Sequence, residues 1–264
     1  MTVKLVMTNE VYHLEPSLSA SGAKTIALGS PAEYKYGEFK SSPAFDVGTA
    51  THTLVFEPHN AASVWCGPET RRGLDWKRKK LEAEEEGALL LTEADYRLAA
   101  DMAEAVRSNR AAAELLSGDL VCEASVFSKD PSTGVEMRCR PDGWRRDIGA
   151  LIDLKTTIAS DPEGFAKQCA NLGYHIQDMF YRRCMENAGF EIDRFIFIAV
   201  QKTRPHLVGI YELDWASLDE GKAAVQYALE KYRKASESNE WGYDFGDLKT
   251  IQIPRYSFKF SQLD

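Results

Sequence analysis

From about Ile148 to Thr156 the chain alternates in a way that only an extended strand can use. Ile148, Ala150, Ile152 and Leu154 fall on one face, and Asp153 with Lys155 share the other. Two earlier segments, Val121 to Phe127 and Val135 to Arg140, also read as strands, joined by the turn-forming Asp130-Pro131-Ser132-Thr133-Gly134. Asp161-Pro162-Glu163 then opens a helix, a second runs from about Tyr174 to Asn187, and Gly189 is placed to end it. Strand-like Phe195 to Val200 and Leu207 to Leu213 follow, and Ala216 to Ser236 is an amphipathic helix. Strands interleaved with paired helices imply a mixed α/β (α+β) fold around a central mixed sheet.

Upstream the pattern is helical. Ser30-Pro31-Ala32-Glu33 has the form of a capping box with proline at the first helical position, and Ser19 to Leu28 suits a short helix before it. Gly48 to Val55, small residues followed by apolar ones, suits a closely packed helix that carries His52 and stops before Pro58. Thr92 caps a helix in which Tyr96, Ala99, Met102 or Ala103, and Val106 recur at helical spacing, with an end expected near Gly118. The expectation is one domain over residues 1–264, with an α-rich part at 1–118 and the sheet with its flanking helices at 119–264.

Composition excludes several classes. Hydrophobic residues at 44% and aromatics at 11% of the 264 residues exclude an intrinsically disordered chain. The longest apolar runs, such as Phe195 to Val200, are far shorter than the ~20 residues of a membrane span. Met1 to Glu10 has neither the apolar stretch nor the cleavage site of a signal peptide, so a cytoplasmic location is expected. Cys66, Cys122, Cys139, Cys169 and Cys184 are odd in number and far apart, which suggests neither a disulfide framework nor a metal knuckle. With a formal net charge of −8, any surface for a polyanion must be a local one.

The chemistry lies around the alternating strand. Phosphodiester hydrolysis needs converging carboxylates to hold a divalent cation. Arg140-Pro141-Asp142-Gly143 ends one predicted strand, and Asp153-Leu154-Lys155 stands eleven residues after Asp142 on the next. A tight connection would bring both aspartates together with Lys155 facing the same site.

These residues resemble the PD-(D/E)XK nucleases, specifically the RecB-like branch and, within it, the RecE-type (exonuclease VIII-like) phage and prophage exonucleases. The resemblance rests on Gly48-Thr49-Ala50-Thr51-His52, Arg140-Pro141-Asp142, Asp153-Leu154-Lys155-Thr156-Thr157, and Tyr174-His175-Ile176-Gln177 continuing to Tyr181. It implies that Asp142 and Asp153 ligate metal, that His52 completes the site, and that the Leu154 carbonyl adds an oxygen. Lys155 would orient or help deprotonate the attacking water, or stabilise developing charge, and the sequence does not separate these roles. Gln177 and Tyr181, four apart on one helix face, match the QxxxY element of that branch. Glu123 resembles an acidic residue that some members place near the metals.

The same resemblance implies two Mg²⁺ (or Mn²⁺) ions per site and no iron–sulfur cluster. It also implies a 5′→3′ exonuclease on linear double-stranded DNA that leaves 3′ single-stranded tails for recombination. A tetrameric, ring-shaped homo-oligomer and a RecT-type single-strand annealing partner go with it. The alternatives are a Cas4- or AddB-like nuclease, whose C-terminal cysteine group this sequence lacks, a restriction-type nuclease, or a non-catalytic DNA-end-binding protein.

Simpler readings stand beside these. Alone, an Asp-x-Lys triplet is more often a solvated strand edge, and the order of the four elements is what raises it. His13, His59, His175 and His206 read as ordinary surface or hydrogen-bonded histidines. Arg71 to Lys80, with Arg71, Arg72, Lys77, Arg78, Lys79 and Lys80 around Trp76, is either a helix face balanced by Glu82 to Glu86 or a loop that meets phosphates while Trp76 stacks on a base. Ser19, Ser21 and Lys24 either bind a terminal phosphate at a helix start or simply cap it.

Overall fold

A computed structural model describes residues 2–4, 7–38, 43–242 and 248–258. The first half runs β1 (Thr2–Lys4), α1 (Asn9–Leu14), β2 (Leu18–Ser19), α2 (Ala20–Leu28), α3 (Pro31–Tyr36), α4 (Pro43–Phe56), β3 (Val64–Cys66), α5 (Leu74–Glu85), β4 (Leu89–Leu91), α6 (Glu93–Ser108) and α7 (Arg110–Leu115). The second runs β5 (Leu120–Cys122), β6 (Ser125–Lys129), β7 (Glu136–Cys139), β8 (Gly143–Arg145), β9 (Ala150–Thr157), α8 (Pro162–Leu172), α9 (Tyr174–Asn187), β10 (Arg194–Gln201), β11 (Val208–Tyr211) and α10 (Trp215–Ser238). The mixed α/β class expected from the sequence is what forms. Among the described residues no helix is long and apolar enough to cross a membrane.

The principal sheet has the order β11-β10-β9-β8-β5, with β9 and β10 parallel and the other pairs antiparallel. A second sheet, β1-β6-β7-β2, is built around the β6–β7 hairpin, and β3 pairs with β4. Helices cover both faces of the principal sheet. Leu151, Phe195 and Phe197 join Phe165, Ile176 and Phe180 of α8 and α9 in one core. Ile152, Leu154, Ile198 and Val200 meet α4 and α6 in the other, against residues such as Ala50, Leu54, Met102 and Val106. Each fully buried Phe or Leu contributes roughly 1.5–3 kcal/mol relative to exposure. β9 is therefore covered on both sides, and the face bearing Asp153 and Lys155 is packed under α9 rather than solvated, as strands of a parallel pair usually are.

Several helices start and stop where their caps predict. Ser19, Ser30, Thr92 and Asp161 each accept a backbone N–H at the head of α2, α3, α6 and α8. Other boundaries differ. α6 stops at Ser108 because Asn109 turns extended and caps α7, so the helix does not reach Gly118. α4 begins at Pro43, five residues before Gly48. Ile148 lies in the one-turn helix Arg146–Ile148, 39% exposed, and not on the strand. The predicted strand Val121 to Phe127 is broken at Glu123, whose φ of 53° is left-handed, and its two pieces join different sheets. The strands β1 to β4, of two or three residues each, are too short to leave a periodicity in the sequence.

Candidate active site

The β8–β9 hairpin builds the centre. Gly143 pairs with Ile152, so Asp142, one residue before β8, comes level with Asp153 on the neighbouring strand. Asp142 Oδ2 accepts the Leu154 N–H at 2.7 Å and lies 3.1 Å from His52 Nδ1 on α4. Asp153 Oδ1 accepts Gln177 Nε2 at 2.5 Å, and Oδ2 faces Lys155 Nζ at 2.6 Å. Lys155 Nζ also donates to Gln177 Oε1 at 3.1 Å and sits 4.7 Å from the centre of the Tyr174 ring. One turn along α9, Tyr181 Oη donates to the Arg140 carbonyl at 3.1 Å and so ties down the segment leading into Pro141-Asp142. From behind, the Arg140 guanidinium donates to Ser125 Oγ and the Met7 carbonyl and lies 4.1 Å from the centre of the Tyr12 ring.

The charges are strongly coupled by burial. Burial lowers the His52 imidazole, but the Asp142 carboxylate outweighs it and the net shift is upward. Asp142 is correspondingly held below the usual carboxylate range: His52, Lys155 and the Leu154 N–H overcome its burial. Asp153 is pushed up by burial and, despite Lys155, by the neighbouring Asp142 charge. Lys155 is raised because Asp153 and Asp142 outweigh its desolvation. Glu123, carried in by its left-handed turn, is pushed up to about 8 by burial and then by Asp142.

A cleft of about 680 Å³ opens onto this network at the C-terminal end of the parallel pair β9 and β10, the end at which open α/β sheets place ligands. His52, Glu123, Leu154 and Lys155 line it on one side, with Lys24, Tyr174 and Lys202 around the mouth. Lys24 is pushed down to about 8 by burial and then by Lys155.

The family described as a PDDEXK-like domain of unknown function (DUF3799) matches residues 19–252. The chain belongs to this family. Its letters spell a pattern met here by Pro141-Asp142 and by Asp153-Leu154-Lys155, the residues that the β8–β9 hairpin brings together. The family and the fold place the chain in the PD-(D/E)XK nuclease class. The fold likeness extends to a protein from Eubacterium rectale assigned as an exonuclease, at 17% identity over 94% of this chain and 96% of that one, with a TM-score of 0.63. A phage-related exonuclease from Haemophilus somnus 129PT superposes more loosely, at 15% identity over 87% of this chain and 99% of that one, with a TM-score of 0.36. No curated protein matches the sequence.

His52, Glu123, Asp142 and Asp153 offer an imidazole and carboxylate oxygens, a donor set that suits Mg²⁺ or Mn²⁺. Two features of the PDDEXK-like site fit a cation. The Glu123 carboxyl is raised partly by the Asp142 charge, and buried Asp153 Oδ2 takes no hydrogen bond, only the ion-pair approach of Lys155. Among the described residues, no three His, Cys, Asp or Glu side chains are already grouped to hold a metal. His52 and the Leu154 N–H meet at Asp142 Oδ2, while Gln177 and Lys155 take the two oxygens of Asp153, so a cation bound at these three oxygens displaces their present partners.

The remaining residues singled out in the sequence divide. Lys24 reaches the cleft, whereas Ser19 caps α2 by accepting the Gly22 N–H at 3.2 Å and Ser21 is exposed on that helix. Of the Arg71 to Lys80 segment, residues from Leu74 onward form the start of α5, with i,i+4 pairs from Arg78 to Glu82 and from Lys80 to Glu84, while Arg71 and Arg72 precede the helix. Trp76 is 8% exposed and packs with Ala83 and Leu90, so of the two alternatives for this segment the helix face is what forms, and the ring is a core side chain and not a stacking surface. Arg71 is engaged by Asp46 at 2.8 Å and Asp95 at 3.1 Å, while Arg72, Lys77 and Arg78 are exposed and none of them lines the cleft. Lys202 was not singled out. Its position just past a strand that runs parallel to β9 is the signal that points to it.

Proposed function

We propose that this protein is a divalent-metal-dependent exonuclease acting on linear double-stranded DNA. The observation that carries this reading is the network of buried Asp153 and Gln177 with half-buried Asp142 and Lys155 at the floor of an open cleft rimmed by Lys24 and Lys202. In this reading Asp142, Asp153 and His52 hold Mg²⁺ or Mn²⁺, with Glu123 and the Leu154 carbonyl as further oxygens. When bound, the cation neutralises phosphate charge and acidifies water.

The protein's own residues supply position and charge. Lys155, fixed by Gln177, presents an ammonium where the attacking water and the phosphoryl oxygens meet. Gln177 sets the orientation of both Asp153 and Lys155, and Tyr181 does the same for Asp142 through the Arg140 carbonyl. Lys24 and Lys202 attract the flanking phosphates. The resemblance to RecE-type enzymes further supports 5′→3′ polarity, two ions per site, 3′ tails for recombination, a tetrameric ring and a RecT-type annealing partner.

A 5′-labelled linear duplex and a closed circle, each with Mg²⁺ or EDTA, test this. Prompt Mg²⁺-dependent release of the label from linear DNA alone, abolished by Asp153→Ala, is the expected result. Asp142 Oδ2 and both oxygens of Asp153 are already engaged within the protein, which is the observation favouring a non-catalytic DNA-end-binding protein as the second reading. Tight end binding without digestion under any metal would establish it.

A further inference from the structure

Gly48 lies at the sixth position of the fourteen-residue α4, well inside a helix that glycine destabilises relative to alanine. Packing does not explain it. A Cβ built there meets, among the described residues, only Thr156 Oγ1 at 3.7 Å, an ordinary van der Waals contact. Its φ is not left-handed, so alanine would adopt the same backbone. Gly48 does line the cleft, on the α4 stripe that also presents Phe45, Thr49 and His52 at helical spacing. Lys24, Lys155 and Lys202 line the same cleft from α2, β9 and the end of β10, an arrangement that suits a ligand with several negative charges.

We propose that Gly48 is kept bare so that the sugar–phosphate backbone of a bound nucleic-acid strand lies directly against α4, between the lysines of the cleft. This rests on the reading of the cleft as a DNA site. The missing side chain leaves the strand room to descend to Lys155 and His52. A methyl group at this point would lift the backbone away from the network beneath it, and a larger side chain would close the passage. Gly48 is thus a positioning residue: it touches no reacting atom and governs how closely the strand approaches.

The test sets stability against substrate use in the full-length protein. Gly48→Ala is expected to keep or raise Tm, because it removes a helix-interior glycine, while KM for nucleotide release from linear duplex rises and kcat/KM falls about tenfold. Gly48→Leu should lose binding of a fluorescent single-stranded 12-mer, measured by anisotropy in EDTA, while remaining folded by circular dichroism. A lower Tm for Gly48→Ala would overturn the proposal by showing that the fold needs the glycine. Unchanged KM and unchanged 12-mer binding in Gly48→Ala would overturn it by showing that nothing lies there. If the wild-type protein binds the 12-mer but releases no nucleotide, the hydrolytic reading fails, and Gly48 is judged on binding alone.

Discussion

Gln177 donates its amide Nε2–H to Asp153 Oδ1 across 2.5 Å. The opposite end of the same amide accepts from Lys155 Nζ, so one neutral side chain orients a buried carboxylate and a half-buried ammonium together. Gln177→Ala should lower kcat/KM for nucleotide release by about 10- to 100-fold, the range for loss of an outer hydrogen-bonding partner, with an unchanged circular dichroism spectrum. Activity within twofold of wild type would reduce Gln177 to a packing role.

Asp130, buried at the β6–β7 turn, accepts from Ser132 Oγ, from the Thr133 N–H and Oγ1, and from Arg183 Nε. Burial would raise its carboxyl, but these donors pull it down to about 2 from 3.8. Because the folded value lies below the unfolded one, the stabilisation is complete above pH 3.8 and disappears as pH falls through about 2. Asp130→Asn should cost about 2 kcal/mol at neutral pH and flatten the acid limb of a urea-unfolding series. An acid limb identical to wild type would contradict this.

Trp76→Ala should cost about 3 kcal/mol as a buried large-to-small change, whereas Lys77→Ala and Arg78→Ala on the exposed face should stay within about 0.5 kcal/mol. Trp76→Phe, which keeps most of the buried volume, should leave DNA affinity unchanged. A loss of affinity in the phenylalanine variant without loss of stability would return a contact role to this ring.

Glu123 combines a left-handed backbone with a carboxyl raised to about 8 from 4.5. A raised carboxyl disfavours the folded state increasingly as pH climbs from 4.5 through about 8. Glu123→Gly should therefore raise the Tm of the metal-free protein, by more at pH 8.5 than at pH 5, because it removes the buried charge and accepts the positive φ. If Glu123 also holds the cation, the same variant needs more Mg²⁺ for half-maximal nucleotide release. A Tm gain independent of pH would leave backbone strain as the whole effect.

Where a signal is local, the amino-acid order was sufficient. The helix expected at Tyr174 to Asn187 forms over those residues, Asp161 and Thr92 cap as their spacing demands, and the turn at Asp130 to Gly134 joins two strands. The meeting of Asp142 with Asp153 was legible from their spacing of eleven residues, but not the strand that brings it about: the strand expected to end at Asp142 is β7 of the other sheet, and the three-residue β8 just after Asp142, too short to leave a periodicity, is what pairs with β9. Trp76 misled for the opposite reason: cations surround it in the sequence, but α5 turns those charges outward and its ring inward against Leu90.

The sequence by itself determined the class of the fold, most helix caps and the aspartates of the candidate site, since each depends on neighbours within a turn or a hairpin. Tertiary structure decided the rest. Lys24 and Tyr174 meet from distant parts of the chain, Glu123 reaches the cleft because its strand splits between two sheets, and Lys202 arrives through the register of β10 on β9. Such encounters depend on sheet order and on which buried face each helix covers. Those are set by the burial of many distant apolar side chains at once, a collective property that no short stretch of residues carries.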